Sequence, residues 1–167
     1  MNVSSEFKIG ERIVYPSHGV GEIVNIEYQV IAATEIKVYV ISFPQDKMIL
    51  KVPVNRAAIS GVRKLVSKSD VALIYVTLKG KAKQGNRMWS RRAQEYEGKI
   101  NSGNVVSIAE VVRDLYKNTD GDRSYSERTI YESALNRLAG ELAILENINS
   151  EEAISKLIEV LREKIAA

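Results

Sequence analysis

The 167-residue chain contains no cysteine and one histidine. The first absence excludes a disulfide framework, CxxC redox chemistry and thiolate-bound zinc, and makes a reducing cytoplasm the expected location. A lone histidine does not make a metal site, and His18, inside Pro16-Ser17-His18-Gly19, reads as a turn residue. No apolar run approaches the roughly 18–20 residues that cross a bilayer. Met1-Asn2-Val3-Ser4-Ser5-Glu6 has no basic region leading into an apolar stretch, so no secretory signal is expected. Gly19-Val20-Gly21 lacks the helix and the Gly-Lys-Ser/Thr ending of a phosphate loop, and its glycines read as positive-φ residues of a hairpin. No serine sits in a nucleophile elbow. The carboxylate pairs Asp120/Asp122 and Glu151/Glu152 fall on turns and helix starts, where acids answer the helix dipole. The chain is expected not to be an enzyme and to need no cofactor or metal.

What is present is hydrophobic enough, at 45%, to build a packed core. The net charge of +3 says little, but its distribution says more. Between Asp70 and Glu95 lie six basic residues (Lys79, Lys81, Lys83, Arg87, Arg91, Arg92) and no acid, which favours a polyanionic partner.

The first third alternates with period two. Val24, Ile26, Tyr28 and Val30 alternate with Asn25, Glu27 and Gln29, Ile36 to Ile41 is β-branched and aromatic, and Met48, Leu50, Val52 and Val54 alternate again. Turn residues at Pro16–Gly19 and Pro44–Asp46 separate these runs, and a small, strongly bent barrel of roughly five strands fits them. From Ser67 the period turns helical. Ser67/Asp70, Ser107/Glu110, Ser124/Glu127 and Asn149/Glu152 read as capping pairs ahead of apolar stripes. Those stripes run through Ile74 and Leu78, Ile108 to Leu115, Tyr131 to Leu145, and Ile154 to Ile165. Lys79–Asn86 reads as a basic loop, and Trp89, Ala93, Tyr96 and Ile100 form a further stripe ended at Asn101-Ser102-Gly103. The expected fold is therefore α+β, with a barrel domain over 1–66 and a compact all-α domain over 67–167.

The distinctive feature is Met88-Trp89-Ser90-Arg91-Arg92, which places the single tryptophan where a basic loop enters a helix. Trp89 can anchor the stripe with Ala93 and Tyr96. Alternatively its ring can press on a base step as a minor-groove wedge while Arg91 and Arg92 grip phosphates. Residue types alone leave both open, along with a third reading: a protein-interaction module whose basic loop binds RNA or an acidic protein.

Longer motifs narrow the choice. Phe7-Lys8-Ile9-Gly10-Glu11, Val14-Tyr15-Pro16-Ser17-His18-Gly19-Val20-Gly21, Lys51-Val52-Pro53 and Gly61-Val62-Arg63 resemble the CarD/CdnL family of bacterial transcription regulators. So do Trp89-Ser90-Arg91-Arg92, Ser102-Gly103-Asn104-Val105, Ala109-Glu110-Val111-Val112-Arg113-Asp114-Leu115 and Gly140-Glu141-Leu142-Ala143, all in the family's order. The resemblance implies a Tudor-like barrel that binds the RNA polymerase β subunit, as in the transcription-repair coupling factor. It also implies a helical domain that contacts promoter DNA, largely independently of sequence, at the upstream edge of the melted bubble and stabilises the open complex. On that basis Trp89 is the exposed wedge, and Arg87, Arg91, Arg92, Arg113, Lys117 and Arg128 lie on the DNA-facing surface. Gln29, Ile31 and Lys51 are the polymerase contacts, and the chain works as a monomer away from membranes. Gln94 and Gln29 stand where some relatives carry a basic residue, and Lys51 cannot make the bidentate fork that arginine makes.

Overall fold

The computed structural model describes residues 6–83, 87–117 and 124–166, with side chains to Glu163. Met1–Ser5, Asn86 at the end of the basic loop, the Asp120/Asp122 pair and the Ile165 side chain lie outside the described residues. The chain divides into two compact units, Met1–Leu65 and Val66–Ala167.

The first unit is an antiparallel five-stranded sheet with a Tudor-like meander: β1 (Arg12–Tyr15), β2 (Gly19–Ile31), β3 (Thr34–Phe43), β4 (Met48–Pro53) and β5 (Arg63–Lys64), ordered β4-β3-β2-β1-β5. Its core is Ile13, Ile23, Tyr39, Ile41, Phe43, Val52 and Ala57. A bulge at Val24 lets Ile23 and Ile26, three residues apart, both face this core, because Ile23 opposes Ile41 and Ile26 opposes Tyr39. Val54 does not continue the β4 alternation. Proline at 53 ends the strand, and Val54 opens the short helix α1 (Val54–Ile59).

The alternation over Val24–Val30 does not mark a buried face throughout. Tyr28 and Val30 are 65% and 75% exposed. The reason is length: β1 covers β2 only as far as Glu22 and β4 covers β3 only from Val38 onward, so Tyr28–Ile31 and Thr34–Lys37 form a two-stranded ribbon. Its tip is a two-residue turn with positive φ at Ala32 and Ala33 (52° and 64°), between the paired Ile31 and Thr34. A left-handed conformation costs an L-residue other than glycine about 1–2 kcal/mol, partly offset by glycine's freer unfolded chain. Ala33→Gly is therefore expected to stabilise the unit by about 0.5–1 kcal/mol, read as a small rise in its thermal midpoint. An unchanged or lower midpoint would show that the turn is not strained.

Glycine serves two purposes in the first hairpin. Gly19 has φ +86°, as its turn position suggests, whereas Gly21 is needed for space. A Cβ at Gly21 would stand 2.8 Å from both Ile41 Cγ2 and Phe43 Cε1. His18 packs between Tyr15 and Phe43, with ring centroids 5.2 and 5.4 Å away.

The second unit packs α2 (Lys68–Lys79), α3 (Trp89–Asn101), α4 (Val105–Leu115), α5 (Tyr125–Glu146) and α6 (Ser150–Ala166) around one apolar cluster. Three of the expected caps form. Asp70 accepts from the Ser67 N–H at 3.2 Å, Ser124 Oγ from the Glu127 N–H at 3.2 Å, and Asn149 Oδ1 from the Glu152 N–H at 2.8 Å. The Ser107/Glu110 pair is not a cap. The helix starts earlier, where Asn104 Oδ1 accepts from the N–H groups of Val106 and Ser107 at 3.0 and 3.1 Å. Asparagine suits that role because its side chain satisfies amides that have no partner within the helix. Buried Glu141 on α5 accepts the Val66 N–H at 2.8 Å, fixing where the chain enters the bundle. Tyr75 on α2 and Lys156 on α6 both donate to Glu146 on α5. Burial, then the Glu146 charge, raises the Tyr75 hydroxyl above its ordinary pKa.

Candidate nucleic-acid and polymerase interfaces

In the helical unit the candidate surface begins at the N-terminus of α3. The apolar stripe of that helix buries Tyr96 and Ile100 and brings Trp89, in the first turn, against Tyr96. Trp89 is half-buried, its ring 6.3 Å from that of Tyr96, and its indole Nε1–H donates to Ser126 Oγ at 3.2 Å. Where an exposed indole is expected, the ring is half-buried. The ring is anchored by the bundle yet not sealed in it, since it needs a partner on both its apolar side and its N–H. The exposed neighbours Met88 and Tyr125, at 78% and 86%, flank the Trp89–Ser126 contact in sequence. Spacing gave no reason to single out Tyr125, which is the first residue of α5 and faces away from its stripe.

The arginines divide their work. Arg91 is exposed, whereas Arg92 is half-buried, with its guanidinium carbon 5.5 Å from the Trp89 ring and 5.7 Å from the Tyr96 ring. Arg92 Nη2 also donates to the Tyr96 hydroxyl at 3.3 Å, while its Nε is buried without a partner. A cation stacked on two rings holds the indole in place and leaves part of its charge beside it. Arg87 is exposed and pairs with Glu95. Lys117, after α4, reaches Glu127 in the first turn of α5 at 3.2 Å, and Arg128 is exposed one residue further on. Trp89, Arg91, Arg92, Lys117 and Arg128 thus belong to three segments joined through the starts of α3 and α5.

Arg113 does not join them. Its side chain is only 10% exposed, and its Nε donates to Asp114 Oδ1 at 2.8 Å, so its expected place on the DNA-facing surface is corrected. The cause is Asp114 itself, 8% exposed, whose buried carboxylate requires a cation. Asp114 Oδ1 also accepts the main-chain N–H of Lys83 at 2.9 Å. Nearby, the hydrogen bond from Lys99 at 2.8 Å is the main cause holding the Glu110 carboxyl below its ordinary pKa, opposed by burial. The Lys99, Arg113 and Lys83 charges add to the lowering.

In the sheet unit, cross-strand register places the polymerase candidates together. Ile31 opposes Thr34, Gln29 opposes Ile36 and Lys51 opposes Val40. Residues 34, 36 and 40 of β3 point to one side, so Ile31, Gln29 and Lys51 share a face of the sheet. Lys51 lies on the edge strand β4 and is 3.1 Å from Glu27, which is on the same face. Ile31 is 54% exposed and Gln29 half-buried.

Comparison with known proteins gives the family of a chain that joins a five-stranded sheet unit to a helical unit with an anchored indole among arginines. The family model "CarD-like/TRCF RID domain" matches residues 7–66, and "CarD, C-terminal domain" matches residues 73–159. The chain belongs to the CarD family. It is a CarD-like transcription factor whose N-terminal part is an RNA-polymerase-interacting domain. It is 28% identical over 149 residues to a Bacillus subtilis (strain 168) protein described as "Putative transcription factor YdeB", covering 87% of this chain and 96% of that one. A solved structure, "CdnLNt from Myxoccoccus xanthus", is 31% identical and covers 41% of this chain and 96% of its own, at a TM-score of 0.33.

Proposed function

We propose that the protein binds the RNA polymerase β subunit through the sheet face carrying Gln29, Ile31 and Lys51. In this reading it stabilises the promoter open complex through minor-groove contact by the helical unit at the upstream edge of the bubble. The observation that carries this is the seating of Trp89: half-buried at a helix start, fixed by Ser126 and Tyr96, and bordered by exposed Arg91 and stacked Arg92. A wedge must resist being pushed back into the protein, and these contacts supply that resistance. Arg91, Arg128, Lys117 and Arg87 engage phosphates, a sequence-independent contact that weakens as salt rises. Tethering to polymerase makes the DNA contact effectively intramolecular, so a modest intrinsic affinity suffices. A factor that favours the melted state shifts the promoter equilibrium by its difference in affinity for the two states. The whole acts as a monomer in the cytoplasm, where transcription takes place.

The test compares binding of the full chain to a fork-junction duplex and to the fully paired duplex of the same sequence across a salt series. Preference for the fork with steep salt dependence is expected, and equal affinity for both would remove the wedge.

The polymerase side has its own prediction. Lys51→Glu sets a carboxylate against Glu27 and reverses the charge of the edge strand, so retention on the isolated β subunit should fall severalfold. Glu27→Gln frees Lys51 from its partner and should retain at least as much. Equal retention of Lys51→Glu and native protein would place the contact elsewhere.

A further inference from the structure

The Arg113–Asp114 ion pair is strongly buried, and no expected surface role accounts for it. Isolated buried ion pairs are a poor source of stability, because desolvation of both charges offsets their attraction. This one touches the basic segment at two points. Asp114 Oδ1 accepts the Lys83 N–H at 2.9 Å. A Cβ at Gly80 would stand 3.7 Å from Arg113 Nη1 and 3.8 Å from its Cδ, so the guanidinium lies against the backbone where α2 ends. Lys81 and Lys83 are exposed, and the latch therefore grips main chain and leaves their cationic side chains outward.

We propose that Arg113 and Asp114 are positioning residues that hold Gly80–Lys83 in one conformation, so that Lys81 and Lys83 meet a nucleic-acid phosphate backbone preorganised. This rests on the DNA-binding reading above. A loop already ordered before binding spares the complex the entropy of ordering it, and fixing even one residue is worth about tenfold in affinity. The sign of the effect separates this role from simple electrostatics. Asp114→Ala removes a negative charge next to a basic surface, which by Coulomb's law alone tightens binding to a polyanion. The latch requires the opposite.

The experiment measures affinity of the full chain for a labelled fork-junction duplex over a salt series, with Trp89 fluorescence and thermal unfolding as folding controls. Asp114→Ala should bind about tenfold more weakly at every salt concentration with an unchanged salt slope, since the phosphate contacts survive. Lys83→Ala keeps the amide and should instead flatten the slope by about one phosphate contact. Native-state amide exchange on the unaltered protein gives a second measurement that needs no variant: the Lys83 amide should be protected despite its exposed side chain. Equal or tighter binding by folded Asp114→Ala, or an unprotected Lys83 amide, overturns the proposal. Should the native chain fail to prefer forked DNA, the DNA-binding reading falls while the exchange measurement still decides whether the latch exists.

Discussion

Replacing Trp89 with alanine is expected to shorten the lifetime of the promoter open complex about tenfold while leaving retention on the polymerase β subunit unchanged. A tenfold change corresponds to about 1.4 kcal/mol, within reach of one aromatic ring pressed on a base step. The ring is also part of the bundle surface, against Tyr96 and Ser126, so its loss costs some stability as well. Two companions separate these effects. Ser126→Ala keeps the ring but removes its hydrogen-bonded anchor, and should shorten the lifetime less than Trp89→Ala. Trp89→Leu restores apolar packing without a flat face, and should recover the thermal midpoint more fully than the lifetime. Promoter-complex decay after competitor challenge measures all three. A folded Trp89→Ala variant whose complexes decay at the native rate would eliminate the wedge.

Gly21→Val should unfold the sheet unit and abolish polymerase retention while sparing the helical unit. A methyl alone at Gly21 meets the buried side chains of Ile41 and Phe43 at 2.8 Å. Overpacking of this kind costs about 1–3 kcal/mol, and the two further carbons of valine add to it. A unit of this size has little stability to lose. The two units can be followed separately because the single tryptophan lies in the helical one. Far-ultraviolet circular dichroism should lose its β contribution while Trp89 fluorescence still reports a cooperative transition. Native-like β signal and polymerase retention in Gly21→Val would show that the strands part more easily than their packing indicates.

Much of this architecture was legible in the residues. Period-two alternation followed by capped stripes of period near 3.6 gave sheet and bundle, because burial of one face is a local consequence of side-chain spacing. Helix starts were readable where one side chain caps alone, as at Ser124 and Asn149. Ser107 and Asn104 compete within four positions, and only the chain geometry picks Asn104. The hairpin turn at Ala32-Ala33 carried no glycine or asparagine and so left no mark in the sequence.

The candidate site divides along the same line. The cluster Trp89-Ser90-Arg91-Arg92 is contiguous, so its unusual chemistry could be seen without coordinates, and the family motifs around it named the class. The fate of each cation could not be seen. Arg91 and Arg113 look alike on paper, yet one is exposed and the other is held inside by Asp114. Exposure and pairing depend on residues distant in sequence: Ser126 for Trp89, Glu27 for Lys51, the Lys83 main chain for Asp114. Sequence by itself determined the order of elements, the two-part organisation and where unusual chemistry is concentrated, since those follow from spacing and composition along the chain. Tertiary structure alone decided which strand outruns its neighbour, which glycine is needed for room and which charges remain outward, because each depends on a contact that exists only once remote segments have packed.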